Sequence, residues 1–265
     1  MLLREVEYAK PASVAEALGL LAANDGARAL AGGQTLVNVM KARAASPDAL
    51  IDLNGLDELK GIELAADGTL TIGAMTTYTE IVASAEAKAR PILGEVCAQI
   101  ADVQVRNRGT IGGNICSNDP TNHLPPLLAA VGARMTIASS DGEREVPVDD
   151  FFLGVYMTAA GPGELLTKIT IPAGKHDGFA AVTLGADGTC IVNAAASVDG
   201  SVRVAIGCVD AVPIVVSADS PDGVAAAVRA AGLQPPSDVH ATSEYRAHLA
   251  EVLATRAARQ AAERS

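Results

Sequence analysis

The 265-residue sequence predicts an α+β fold built from three consecutive units. Residues 1–55 alternate helical and strand patterns, which is typical of a small α/β unit. Asp-Gly turns at Asp67-Gly68 and Asp141-Gly142 mark two hairpins in a second, mixed unit over 56–160. Residues 161–265 carry short strands separated by turns and end in helices, which favours an antiparallel meander.

The elements of the first unit follow from capping and hydrophobic periodicity. Ser13 and Glu16 form a capping box that opens an amphipathic helix. We expect a buried strand over 27–31, a helix over 34–43 and a further strand over 48–53. Together these elements predict one small sheet with helices beside it.

The second unit begins with a hairpin whose arms cover 62–66 and 69–73. Its further elements are a helix capped by Thr77, a helix from Pro91 to about residue 101, a glycine-rich loop over 109–120 and an apolar helix over 124–131.

The third unit begins after the Gly161-Pro162-Gly163 boundary. Its expected strands cover 164–172, 179–185, 191–198 and 202–209, with turns at Asp187-Gly188 and Asp199-Gly200. Helices over 223–231 and 244–259 close the chain, the second with Tyr245, Leu249 and Val252 or Leu253 facing inward.

Composition excludes several classes of function. The chain has 20 Lys and Arg against 31 Asp and Glu, a formal net charge of −11, whereas nucleic-acid and anionic-membrane partners need a basic surface. No apolar run reaches the ~18 residues of a membrane span, and the amino terminus lacks a signal-peptide core, so we expect a cytoplasmic protein. The cysteines, at 97, 116, 190 and 208, are too widely spaced for a zinc or iron–sulfur site.

Two glycine-rich segments carry the strongest chemical signal. The first is Ala31-Gly32-Gly33-Gln34-Thr35-Leu36, and the second is Gly109-Thr110-Ile111-Gly112-Gly113-Asn114. Paired glycines allow close approach of the backbone and expose consecutive N–H groups, which suits a pyrophosphate. Neither segment matches G-x-G-x-x-G or the P-loop pattern, so a Rossmann site and a P-loop site are both rejected. Each segment taken alone can also be a simple tight turn.

The chain resembles the FAD-binding medium subunit of molybdenum hydroxylases, the group that includes carbon monoxide dehydrogenase and xanthine dehydrogenase flavoproteins. The resemblance covers essentially the whole chain in order. It is carried by the first glycine segment with Met40-Lys41, by Val105-Arg106-Asn107-Arg108 leading into the second segment, by Ile72-Gly73-Ala74, by Glu164-Leu165-Leu166 running into Ile171-Pro172, and by Glu244-Tyr245-Arg246.

This resemblance implies a two-subdomain FAD-binding fold of the molybdenum hydroxylase (PCMH) type, followed by an antiparallel sheet with helices. The subdomains would be 1–55 and 56–160, and the final unit 161–265. Backbone N–H groups of 32–36 and 110–114 would bind the pyrophosphate, Leu166 would pack near the flavin, and Ile100 or Ala101 would lie on its other face. The full implied FAD set is Ala31, Gly32, Gly33, Gln34, Thr35, Leu36, Ile100, Ala101, Thr110, Ile111, Gly112, Gly113, Asn114, His123, Leu166 and Thr183. No catalytic side chain and no metal ligand is expected.

Two positions depart from the family pattern. His123 stands where an acidic residue is usual, and Thr183 stands where a lysine often lies near the flavin. We hypothesise that His123 makes FAD affinity depend on pH, because histidine titrates near neutrality; the alternative is a plain structural neighbour of a helix start. Arg106 and Arg108 are each equally suited to a phosphate and to a nearby carboxylate.

By this resemblance the chain is an electron-transferring flavoprotein subunit. It would accept electrons from [2Fe–2S] clusters of a small subunit, with a molybdopterin cofactor in a large subunit, and pass them through FAD to an external acceptor, within a dimer of heterotrimers. Two alternatives remain open. One is a self-contained flavin oxidase of the same superfamily, and the other is a non-enzymatic scaffold whose FAD site has decayed.

Overall fold

The structure, a computed structural model, describes residues 3–174, 176–185 and 188–264. Met1 and Leu2 of the amino-terminal segment, and Asp187 of the turn predicted at Asp187-Gly188, lie outside the described residues. Within the described ranges, no helix is both long enough and apolar enough to span a membrane.

The first unit is a three-stranded parallel sheet with two helices. Its strands are β1 (Glu7–Ala9), β2 (Ala27–Leu30) and β3 (Ala49–Asp52), in the order β1-β3-β2. Its helices are α1 (Val14–Ala22) and α2 (Leu36–Lys41). Ser13 caps α1 by accepting a 3.1 Å bond from the Glu16 N–H, as predicted, but the Glu16 carboxylate accepts from the Ala12 N–H at 2.7 Å instead of from Ser13, so the predicted capping box is half formed. Because every strand is parallel, the carboxyl ends of all three meet at one edge of the sheet.

The second sheet is formed by strands of the middle of the chain. They are β4 (Ile62–Leu64), β5 (Leu70–Gly73), β6 (Arg134–Ser139) and β7 (Gly142–Pro147), which form the two predicted Asp-Gly hairpins. The helices of this region are α3 (Tyr78–Ala83), α4 (Ile92–Cys97), α5 (Val103–Arg106), α6 (Ile111–Ser117), α7 (Leu124–Ala130) and α8 (Val148–Phe151). A small ladder follows, of β8 (Phe152–Gly154) and β9 (Met157–Thr158).

The helices correct the sequence prediction at two places. The glycine-rich stretch expected as a loop over 109–120 contains the helix α6, because Thr110 caps it by accepting a 3.1 Å bond from the Gly113 N–H. The helix starting at Pro91 ends at Cys97 instead of near residue 101, where Ala101 takes a φ of 44°. The capping box at Thr77 is confirmed, with bonds in both directions between Thr77 and Glu80.

Strand β10 (Leu165–Ile171) is the centre of the second sheet, whose order is β4-β5-β10-β6-β7. It pairs antiparallel with β5 and with β6, and Ile169 and Ile171 are fully buried in the core of that sheet. The predicted boundary at residue 161 would assign this strand to the third unit. Hydrogen bonding and burial instead extend the second unit to Ile171.

The third unit is an antiparallel meander covered by helices. Its strands are β11 (Asp177–Thr183), β12 (Cys190–Asp199), β13 (Ser201–Gly207) and β14 (Ile214–Ala218), in sequential order, and its helices are α9 (Val224–Ala230) and α10 (Ser243–Glu263). Helix α10 packs closely on β11, since a β-carbon at Gly178 would lie 2.0 Å from the Ala257 carbonyl oxygen. The inward residues Leu249 and Leu253 are buried as predicted, but Tyr245 is half exposed and Arg246 is buried in its place.

A buried ion pair joins the second and third units. The Arg90 guanidinium donates from Nε and Nη2 to the Asp177 carboxylate at 2.7 and 2.8 Å. It also donates to the Pro172 carbonyl at 2.5 Å and to the Ser197 hydroxyl at 3.1 Å. Arg90 and Asp177 are 3% and 1% exposed. Water therefore cannot solvate either charge if its partner is removed.

We predict that Arg90→Ala lowers the free energy of unfolding by about 3–5 kcal/mol, because it leaves the Asp177 carboxylate buried without a partner. Arg134→Ala is the matched control: it breaks an ion pair with Glu145 that is about half exposed, and should cost less than about 1 kcal/mol. Urea unfolding of the three proteins measures both values. Equal losses in the two variants would contradict this account.

Candidate cofactor-binding site

The two glycine segments meet at the carboxyl edge of the first sheet. A β-carbon at position 32 would lie 2.0 Å from the Arg108 carbonyl oxygen and 3.0 Å from the Gly109 Cα. A β-carbon at Gly113 would lie 3.6 Å from that of Ala31, at the start of the first segment. Segments more than 70 residues apart in sequence therefore form one surface, and glycine at 32 is needed for the contact.

The first segment presents unused backbone donors. Among the described residues, none of the N–H groups of 32–36 donates a hydrogen bond. Gly33 has a φ of 74°, a conformation that favours glycine, and Gln34 folds back to donate to the Gly32 carbonyl at 3.0 Å. Consecutive free N–H groups in such a turn form a concave binding place for an anion.

The second segment uses most of its backbone N–H groups within the chain, and its predicted contact with the pyrophosphate stays a prediction. Four of its N–H groups donate within the chain: Ile111 to Thr76, Gly112 to Ala74, and Gly113 and Asn114 to Thr110, at 2.9–3.1 Å. Among the described residues the Thr110 N–H has no acceptor, so it is a free backbone donor like those of 32–36. The second segment therefore offers this donor together with packing and side chains.

Asn114 supplies an unpaired acceptor at this place. Its side chain is only 9% exposed, and its Oδ1 atom is buried without a hydrogen-bond partner. An orphaned buried acceptor calls for a ligand that carries an N–H or O–H donor. The free N–H groups of the first segment call for an acceptor such as phosphate. FAD has both kinds of group, so the residues present fit FAD.

Leu166 is brought close to the second segment by a chain of backbone bonds. The Gly112 N–H donates to the Ala74 carbonyl, and the Ala74 N–H donates to the Thr167 carbonyl, both at 2.9 Å. Leu166, next to Thr167, is 5% exposed and packs in the same core as Ile111. The strand that carries it is therefore fixed against the start of α6.

Ile100 and Ala101 form a turn that Arg106 holds. Arg106 donates from Nη1 to the Ile100 carbonyl at 3.0 Å and to the Ala101 carbonyl. Its guanidinium thus binds backbone carbonyl oxygens. The sequence had suggested a phosphate or a carboxylate as its partner. Arg108 is exposed, and its carbonyl makes the contact with Gly32 described above.

His123 is buried beside the second segment. It is 8% exposed, and its ring lies 5.4 Å from that of Phe179 on β11. The preceding residue, Asn122, donates to the Asn114 carbonyl at 3.1 Å. Burial lowers the pKa of His123 below its ordinary value, so the ring is neutral at neutral pH and any titration moves toward acid.

Thr183 is not joined to this surface by hydrogen bonds in the described part of the chain. It lies exposed at the end of β11, and its hydroxyl donates to the Gly185 carbonyl at 3.1 Å. Its role as a flavin neighbour stays a prediction.

Sequence reasoning missed two residues that shape the site. Tyr78 is 4% exposed, and a β-carbon at Gly109 would lie 2.6 Å from its ring. The start of the second segment therefore packs against the Tyr78 ring. Asn54 donates to the Ala31 carbonyl at 3.0 Å and so holds the first segment. The sequence position of Asn54 could have identified it. Asn54 follows a buried strand that ends at the same sheet edge as the strand before the first segment.

A separate cavity of about 520 Å³ lies at the opposite, amino end of the first sheet. Its lining consists of residues 4–7, Met40, Arg43 and 45–48. It contains no residue of either glycine segment. Among the described residues, no cluster of three or more His, Cys, Asp or Glu side chains could hold a metal ion.

The fold and the paired glycine segments define a flavin-binding chain of the molybdenum hydroxylase type, and comparison with known proteins agrees. The family described as FAD binding domain in molybdopterin dehydrogenase matches residues 4–174. The chain belongs to this family. The assignment confirms the family resemblance, the α+β FAD-binding fold and FAD as the cofactor.

Individual relatives extend the comparison. The chain is 46% identical to the carbon monoxide dehydrogenase medium chain of Hydrogenophaga pseudoflava over 63% of its own length, and spans 58% of that relative. It is 34% identical to the 6-hydroxypseudooxynicotine dehydrogenase complex subunit alpha of Paenarthrobacter nicotinovorans, covering 98% of this chain and 95% of that one. A solved carbon monoxide dehydrogenase structure from Hydrogenophaga pseudoflava superposes with a TM-score of 0.92 at 34% identity, over 100% of this chain and 99% of that chain.

We predict that Gly32→Ala weakens FAD binding at least about tenfold, because the new methyl group would drive the two segments apart at the Arg108 carbonyl. Gly19→Ala is the control, since nothing lies within 4 Å of a β-carbon there and α1 should become slightly more stable. Flavin fluorescence titration measures both affinities. Unchanged affinity in Gly32→Ala would show that the segments need not touch.

We predict that acid destabilises the wild-type chain more than His123→Asn. Because burial lowers the pKa of His123, the unfolded chain binds this proton more readily, and stability falls as the pH drops below about 6.5. Urea unfolding across the acid range measures the difference.

The same two proteins test the hypothesis on FAD affinity. The wild type alone should lose affinity for FAD in acid. Identical pH profiles of the dissociation constant would exclude a role for His123.

Proposed function

We propose that this chain is the FAD-binding electron-transfer subunit of a molybdenum-containing hydroxylase or dehydrogenase. The observation that carries the proposal is the contact between the two glycine segments, one with free N–H groups and the other with the orphaned acceptor of Asn114. Family membership supports the same cofactor. The relatives named above include a medium chain of carbon monoxide dehydrogenase and a subunit of a dehydrogenase complex.

The proposed roles of the residues concern binding and orientation. The N–H groups of 32–36 hold the pyrophosphate, and Asn114 accepts from a donor of the cofactor. Thr110, Leu166 and the turn at Ile100-Ala101 border the flavin. FAD, when bound, supplies one- and two-electron redox chemistry. No side chain of this chain is required as a nucleophile or as a general acid.

The proposed partners supply the other redox centres. Our proposal assigns [2Fe–2S] clusters to a small subunit and the molybdenum cofactor to a large subunit, in a dimer of heterotrimers. No cysteine cluster suited to iron and sulfur occurs in the described part of the chain, which is consistent with clusters on a partner. The cytoplasmic location stays a prediction.

The first experiment is a visible absorption spectrum of the purified chain, followed by release and identification of the chromophore. We expect one FAD per chain, bleached by dithionite. A colourless chain that fails to take up added FAD would contradict the proposal and favour the decayed scaffold. Turnover of small alcohols by the isolated chain would favour a self-contained flavin oxidase, in which substrate meets the flavin directly.

The partner proposal is tested by affinity purification of the tagged chain from its native host. We expect iron and molybdenum in the purified complex by elemental analysis, together with two further polypeptides. A flavin-loaded chain recovered without either metal would contradict the proposed partners and leave FAD binding intact.

A further inference from the structure

A hydrogen-bonded cluster stands at the carboxyl edge of the first sheet, outside the residue set predicted for FAD. Asp52 is the last residue of β3, the central strand, and is 8% exposed. Its Oδ2 accepts from the Tyr8 hydroxyl at 2.5 Å. Its Oδ1 accepts from the Asn54 backbone N–H at 3.0 Å and from Asn54 Nδ2 at 2.6 Å. Three donors thus fix one carboxylate.

Asn54 links this cluster to the first glycine segment. Its Nδ2 group has two hydrogens, and it donates to Asp52 and also to the Ala31 carbonyl at 3.0 Å. Both donors of the amide are therefore used, and Asp52 determines which way the amide faces. The Ala31 carbonyl is held in turn.

Holding the Ala31 carbonyl has a geometric consequence for the next residue. The peptide between Ala31 and Gly32 is trans, and in a trans peptide the C=O and the following N–H point in opposite directions. The Gly32 N–H is therefore directed away from Asn54. This N–H is the first of the free donors in the segment.

The charge state of the cluster favours the same arrangement. Burial raises the pKa of Asp52, but hydrogen bonds from Tyr8 and Asn54 outweigh it and hold the pKa below its ordinary value. The hydrogen bond to Asp52, with smaller contributions from burial and the negative charge, raises the pKa of Tyr8. Across the neutral range Asp52 is an acceptor and Tyr8 a donor.

The sheet does not need this cluster to hold its strands. The Leu53 N–H donates to the Leu30 carbonyl at 3.0 Å, so β2 and β3 are joined up to their ends without Asn54. The bond from Asn54 acts one residue further on, at Ala31. Its effect is thus confined to the start of the glycine segment.

We propose that Asn54, oriented by Asp52 and Tyr8, is a positioning residue of the FAD site that aims the Gly32 N–H at the pyrophosphate. The inference rests on the proposed function. It predicts that Asn54→Ala weakens FAD binding about tenfold, the loss of one well-directed bond to a charged phosphate. Tyr8→Phe should weaken it about threefold, because Asp52 and Asn54 remain but are less firmly oriented.

The experiment compares Asn54→Ala, Tyr8→Phe and the double variant in the full chain. Thr255→Val is the control, since it also removes a side-chain bond to a backbone carbonyl, at Glu251 on α10. Flavin fluorescence gives the dissociation constant, phosphorus NMR of bound FAD reports the pyrophosphate environment, and thermal unfolding without FAD reports stability. We expect shifted phosphorus resonances in both single variants, and a double variant no weaker than Asn54→Ala.

The outcomes separate the two proposals. If the wild type binds FAD while Asn54→Ala and Tyr8→Phe match Thr255→Val in affinity and phosphorus spectrum, the positioning role is overturned and FAD binding stands. Additive losses in the double variant would show that Tyr8 does not act through Asn54. If Asn54→Ala loses stability as well, Tyr8→Phe decides the question. A wild type that binds no FAD overturns both proposals.

Discussion

The close approach of backbone at Gly32 and Arg108 is the constraint on which the candidate site depends. With 2.0 Å between a hypothetical β-carbon and a carbonyl oxygen, no side chain fits between the segments. The first sheet and the helix α6 must therefore lie in contact at one point. Once they do, the free N–H groups of 32–36 lie in the segment that packs against the start of α6, the helix that carries Asn114.

The rest of the fold keeps the second segment in place. Gly112 donates to Ala74 and Ala74 to Thr167, so α6 is tied to β10 in the middle of the second sheet. Tyr78 lies under Gly109, and Asn122 donates to the carbonyl of Asn114. The third unit is held in turn through Arg90 and Asp177. Each unit thus contributes a contact that limits movement of the site.

Local patterns predicted much of this architecture, because they depend on residues near in sequence. The caps at Ser13 and Thr77, the Asp-Gly hairpins and the antiparallel meander are all confirmed. The family motifs led to the glycine segments and to FAD. These signals need only a few neighbouring residues to be recognised.

Long-range pairing explains what the sequence did not predict. Strand β10 follows a Gly-Pro-Gly boundary, yet it pairs back to β5, almost 100 residues earlier, which no local signal records. The first N–H groups of α6, those of Ile111 and Gly112, donate to Thr76 and Ala74, which lie outside the segment. Likewise Arg106 and Asn54 donate to backbone carbonyls. Because every residue has a carbonyl, no sequence motif identifies such an acceptor.

Amide hydrogen exchange, followed with and without FAD, tests the central claim most directly. The N–H groups of 32–36 have no partner among the residues that the structure describes, so they should exchange rapidly without FAD and slowly with it. Those of 111–114 are already bonded and should be slow in both states, with some further protection from FAD. Rapid exchange of 32–36 in the loaded chain would contradict the account, because the pyrophosphate would then be bound elsewhere.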